Sequence, residues 1–162
     1  MKLTSVTLTP RPMLYVALSG TMPEIPAVMG RGFATLGAFI AASGVQPLGP
    51  PIALYHDWTE TTTAIDLGFP VSAADAAKAA GEVKAGTTPH GPALKTVHKG
   101  SYAGFGRTYA EIGARITDAG IPQGARMWEV YLNGPDTTPE DQLLTEIYTE
   151  VSAADAARFP AD

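Results

Sequence analysis

The heptapeptide Val-Ser-Ala-Ala-Asp-Ala-Ala occurs twice, at Val71–Ala77 and at Val151–Ala157, 80 residues apart in a chain of 162. An alanine-rich heptapeptide can recur by chance, so the test is whether the flanks agree in register. They do. At the same offset Ala64–Val71 lies over Leu144–Val151, with Asp66 on Glu146 and Leu67 on Ile147. Further upstream the offset is 76: Ile52–Asp57 lies over Trp128–Asn133, and Met29, Phe33, Leu36, Ile40 and Gly44 fall on Phe105, Tyr109, Ile112, Ile116 and Gly120. Gly20-Thr21 then falls on Gly100-Ser101. The chain is therefore read as a single domain, 1–162, made of two homologous halves, about 1–80 and 81–162. The Ser-x-x-Asp inside each heptapeptide reads as a capped helical turn closing each half.

Spacings of four, three and four in 29, 33, 36, 40 and in 105, 109, 112, 116 describe one face of an α-helix. Each stripe ends at a glycine with a proline close behind, Gly44 with Pro47 and Gly120 with Pro122, a usual helix stop. Gly30, Gly37, Gly106 and Gly113 recur at matching helical places. Each costs up to about 1 kcal/mol against alanine, so they suggest close approach of helix to sheet. The remaining apolar runs read as strands. Val6–Thr9 and Met13–Ser19 pair around Pro10-Arg11-Pro12 in this reading, and Ile52–His56 pairs with Ala64–Val71. The second half offers Gly81–Ala85, Leu94–Lys99, Arg126–Leu132 and Leu143–Val151. Each half is thus ββαββ. The fold class expected is α+β, a tandem pseudo-symmetric repeat with an antiparallel sheet, two helices on one face and a ligand cleft on the other.

Strand alternation selects the residues for that cleft. If the uniformly apolar faces meet the helices, then Glu129, Tyr131, Glu146, Tyr148, Tyr55 and Asp66 share the opposite face. Acids interleaved with tyrosines suit a ligand, although a solvated outer face carries them as readily.

Composition narrows the function. The net charge of −5 and the absence of any Lys/Arg run argue against a nucleic-acid partner. The lack of cysteine excludes disulfides, thiolate zinc and a cysteine nucleophile. No signal-peptide pattern opens the chain, and no run of 18 uninterrupted apolar residues suggests a membrane span. The cytoplasm is the default compartment. His56, His90 and His98 share no ligand spacing, so neither a metal nor a cofactor is expected. His98 reads as a strand-end hydrogen-bonder rather than a catalyst. Trp58 lies in a turn.

The segments KTVHKGSYAGFGRTYAEI (95–112), MWEVYLNGPDTTPED (127–141) and LLTEIYTEV (143–151), in that order, resemble the GyrI-like effector-binding domain. That family also supplies the ligand-sensing part of AraC-type and MerR-type regulators. The resemblance implies a tandem βαββ fold with a cleft between the repeats. It also implies that Glu146 and Tyr148, Glu129 and Tyr131, and Tyr102 line a pocket for a lipophilic, cationic organic ligand, to be sensed or sequestered. The repeat accounts for nearly every residue, so a stand-alone binding module is expected, with a protein partner an open possibility. Two alternatives stand beside it. One is a hydrolase of small electrophiles using Glu146 and Glu129 as general acid and base; nothing in the sequence forces an enzyme. The other is a protein-binding inhibitor of the gyrase-inhibitor type, for which the acidic loop DTTPED is the candidate surface.

Overall fold

The computed structural model describes residues 1–122 and 126–162. Along the chain come β1 (Thr4–Leu8), β2 (Pro12–Thr21), α1 (Ile25–Ser43), β3 (Ile52–His56), β4 (Thr62–Pro70) and α2 (Ala73–Ala76). Then follow β5 (Val83–Thr87), β6 (Gly91–Lys99), α3 (Phe105–Asp118), β7 (Met127–Tyr131), β8 (Leu144–Glu150) and α4 (Ala153–Ala156). The order ββαββα is read twice, so the sequence repeat is a structural one. The class is α+β, and the strands pair antiparallel. The two heptapeptides form α2 and α4. In each, the leading serine (Ser72, Ser152) accepts a hydrogen bond from the backbone N–H of the aspartate three residues on, with the same backbone angles, φ −69° and ψ 158°.

The chain divides into two compact units that do not coincide with the sequence halves. One is continuous, Thr9–Pro89; the other joins Met1–Leu8 to His90–Asp162. The strand order is β3-β4-β2-β5 in the continuous unit and β1-β6-β8-β7 in the discontinuous one. Each half has lent its first strand to the other unit. The expected β1–β2 hairpin is therefore not formed: β1 pairs with β6 (Thr4 opposite Lys95), and β2 lies between β4 and β5. A tight hairpin usually needs positive-φ residues at its turn. Thr9-Pro10-Arg11 has none, so this linker does not close a tight hairpin.

In the discontinuous unit, Ile112 and Ile116 of α3 pack with Leu3, Leu94, Ile147 and Val151, and Phe105 and Tyr109 border this core. The α3 stripe is as expected, and Gly120 at φ 66° ends the helix. In α1 the buried residues are Val28, Gly32 and Leu36, one position off the expected stripe at its start, and Phe33 keeps 42% of its surface exposed. Gly44 closes α1 in the left-handed conformation, φ 70°. The glycines expected to touch the sheet do not. A Cβ on Gly30, Gly37, Gly106 or Gly113 would meet nothing within 4 Å, whereas one on Gly32 would lie 2.6 Å from Leu18 Cδ1 and 2.9 Å from Leu67 Cδ2. The close approach belongs to Gly32. The stretch Met22–Ser43 has a mean hydropathy of 1.4 over its most apolar 18-residue window, long and apolar enough by length and composition to cross a membrane. Core helices of soluble proteins meet the same criterion.

Candidate functional site

Register, not apolarity, decides which way each side chain of β7 points. Glu129 lies opposite Ile147 and Tyr131 opposite Thr145, while Trp128 lies opposite Tyr148 and Val130 opposite Glu146. Ile147 packs on α3. Glu129 and Tyr131 therefore face α3, and Trp128, Val130, Glu146 and Tyr148 face away. The expected common face is split. The cause is Tyr109, whose position on the α3 stripe brings a hydroxyl to the helix side. A carboxylate there has a donor, and the large apolar Trp128 is left to the other face. That face is not open at this point either: Trp128 and Tyr148 stack at 5.3 Å with planes 7° apart, and they keep only 1% and 5% of their surfaces exposed.

On the α3 side Glu129 is 2% exposed. Its Oε1 accepts a hydrogen bond from the Tyr109 hydroxyl and its Oε2 one from the Tyr131 hydroxyl. Burying an ionised carboxylate costs several kcal/mol, and each hydroxyl bond to it returns about 1.5–3 kcal/mol. The Tyr102 ring meets Tyr131 edge-on at 5.9 Å and Phe105 at 5.3 Å, and Phe105 meets Tyr109 at 6.1 Å. Tyr102, 38% exposed, is the outermost of these rings. Burial, then the charge of Glu129, pushes the Tyr102 hydroxyl pKa up, so it remains a neutral donor. The group is a buried carboxylate held by two tyrosine hydroxyls, with the Tyr102 and Phe105 rings packed against those tyrosines.

The repeat shows that carboxylate and hydroxyl come as a pair. At the 76-residue offset Glu129 corresponds to Ala53 and Tyr109 to Phe33. The continuous unit lacks both, and Ala53 is fully buried. Tyr55 keeps its place as the counterpart of Tyr131, but stacks on Trp58 at 5.9 Å instead.

Glu146 differs from expectation in a second respect. It is not an uncompensated carboxylate: Lys95 Nζ lies 3.0 Å from its Oε1, and the Tyr148 hydroxyl donates to its Oε2 at 2.8 Å. Lys95 also reaches Asp162 at 2.8 Å. Burial lowers the Lys95 pKa, but the two carboxylates outweigh it and hold the ammonium charged. Burial first, then the Glu146 carboxylate, raises the Tyr148 pKa. Glu129 and Glu146 stand on opposite faces of one ladder, so the general acid–base pair of the hydrolase reading is not assembled.

In the continuous unit Asp66 lies on the strand face that carries His56. His56 Nδ1 bonds Asp57 at 2.9 Å, and its Nε2 lies 3.2 Å from Asp66 Oδ2, an ion-pair contact without an aligned hydrogen bond. His98 hydrogen-bonds through both nitrogens, Nε2–H to the Ser101 carbonyl (3.0 Å) and Nδ1 to the Thr108 hydroxyl (2.8 Å). That is the structural role expected of it. The acidic loop folds on itself, with Thr137 and Thr138 N–H groups bonded to the Gly134 carbonyl. Sequence reasoning missed Tyr109 and Phe105, which it assigned to the core, and Lys95. The signal for Tyr109 was there: a buried tyrosine in a stripe of Phe and Ile needs a partner for its hydroxyl.

No protein of curated function matches the sequence. Among solved structures the chain is similar to the C-terminal domain of EcmrR (TM-score 0.73, 19% identity, covering 94% of this chain and 99% of that one). It is similar to SAV2435 bound to tetraphenylphosphonium (TM-score 0.72, 14% identity, covering 96% of each chain). It also resembles, at a TM-score of 0.57 and 15% identity, a hydrolase from Listeria innocua, covering 93% of this chain and 92% of that one. At these identities the likeness is one of fold. The family model of the GyrI-like small molecule binding domain matches residues 1–152, and the chain accordingly belongs to that family.

Proposed function

We propose that this small-molecule binding domain takes a lipophilic organic cation, for sensing or sequestration, at the Glu129 cluster of the discontinuous unit. The observation that carries the reading is a carboxylate 2% exposed, hydrogen-bonded by Tyr109 and Tyr131, with the Tyr102 ring against Tyr131 and the Phe105 ring against Tyr109. In a site sheltered from water, a cation gains both from the carboxylate and from ring faces, each contact being worth about 1 kcal/mol or more. The cation also offsets the burial cost of the carboxylate. Glu146, already neutralised by Lys95, offers a second cation much less. SAV2435, a neighbour in fold, is described as bound to tetraphenylphosphonium, which recommends that cation as the probe.

Glu129→Gln removes the charge and keeps the size and one acceptor oxygen. Titration calorimetry with tetraphenylphosphonium should show binding weakened about tenfold or more, the loss of one buried charge contact. The melting temperature should hold or rise, because a buried charge is gone. Affinity unchanged in this variant, with Glu146→Gln the damaging substitution instead, would overturn the assignment.

A further inference from the structure

A cavity of about 680 Å³ lies within the discontinuous unit, along the end of β6 and the first turns of α3. It shares no lining residue with the Glu129 cluster. Its charged walls are Lys2, Lys95, Lys99 and Arg107, against Glu111 and Asp162. This balance runs opposite to the chain's net charge of −5. The two acids are already engaged, Asp162 with Lys95 and Glu111 with the amino group of Met1. Among the described residues Lys99 and Arg107 pair with no carboxylate. Their charges therefore act on whatever enters. Apolar surface stands beside them: Val97, 49% exposed although it lies on a strand, and Ala103.

We propose that this cavity is a second ligand site, for an amphiphilic organic anion carrying a carboxylate, sulfonate or phosphate head on an apolar body. The volume suits a molecule of drug size. Arg107 can take a planar or tetrahedral anionic head through two parallel N–H bonds, and Lys99 adds a point charge. Val97 and Ala103 receive the apolar body, which free phosphate lacks. The excess of positive over negative side chains in this lining also favours an anion at the mouth. This site is independent of the organic-cation reading, since it uses none of the same residues.

The probe is 8-anilinonaphthalene-1-sulfonate, followed by its fluorescence on the full chain. The wild type should bind it at one site that tetraphenylphosphonium does not displace. The double variant Lys99→Gln/Arg107→Gln should weaken binding about tenfold or more, as expected when charge-assisted contacts are lost. Glu129→Gln should change it by less than about twofold, since Glu129 lines no part of this cavity. Both basic side chains are exposed, so thermal unfolding of the double variant should match the wild type. Absence of binding, an unaltered affinity in the double variant, or displacement by tetraphenylphosphonium would each sink the proposal.

Discussion

Gly32 shows how one residue sets the distance of a helix from its sheet. An added Cβ would sit 2.6 Å from Leu18 Cδ1, well inside contact distance. Gly32→Ala should therefore destabilise the fold by about 1–3 kcal/mol, the usual cost of overpacking. Gly30→Ala, in open space two residues away, should stabilise it by about 0.5–1 kcal/mol through helix propensity. Chemical denaturation of the two variants checks the pair. Opposite expectations for two glycines of one helix cannot both come from composition. At the same scale Glu129 and Tyr109 form a unit. A carboxylate at position 129 is tolerable because position 109 supplies a hydroxyl, and where the repeat has Phe33 it has Ala53.

At the scale of elements, α3 is held by its stripe. Ile112 is 3% exposed, in the cluster with Ile116, Leu94 and Ile147. Ile112→Ala should cost about 2–5 kcal/mol in urea unfolding, the range for cavity-forming core substitutions. A cost below about 1 kcal/mol would mean that α3 can settle into the space left behind. The helices were legible because 3.6-residue periodicity, glycine stops and serine caps are local properties. The strands were legible as strands, yet two of their partners were not. β1 pairs with β6, and β5 with β2, because pairing depends on which edges remain open once the sheet is assembled. Nothing local to Thr4–Leu8 records that.

At the scale of the whole molecule, charge pairs set the pH range of stability. The Asp66 and Asp57 carboxylates outweigh burial and raise the His56 pKa above its ordinary 6.5. The stabilisation from His56 is thus fully present below about pH 6.5 and lost as pH rises through its folded value. Hydrogen bonds from Arg126 lower the Glu150 pKa below 4.5, and those from Lys95 and Thr4 lower the Asp162 pKa below 3.8. Their stabilisation is present above those ordinary values and lost as pH falls through the folded ones. The melting temperature should therefore peak between about pH 4.5 and 6.5. His56→Gln should flatten the alkaline side and leave the acid side unchanged; an unaltered alkaline slope in that variant would show that the His56 pairs are inert.

The sequence by itself determined the repeat, both long helices, the capped turns at the end of each half, the antiparallel α+β class, and the family. These follow from periodicity, capping and motif order, which are carried by near neighbours along the chain. Only the tertiary structure decided which half owns each first strand and which face each acid takes. A strand's alternation states that Glu129 opposes Trp128, but it is silent on which of the two meets the helix. That choice was made by Tyr109, twenty residues away in sequence, and by Lys95, whose ammonium neutralises Glu146. Both are contacts between elements, and the energy of burying a charge depends on such contacts rather than on the residues beside it.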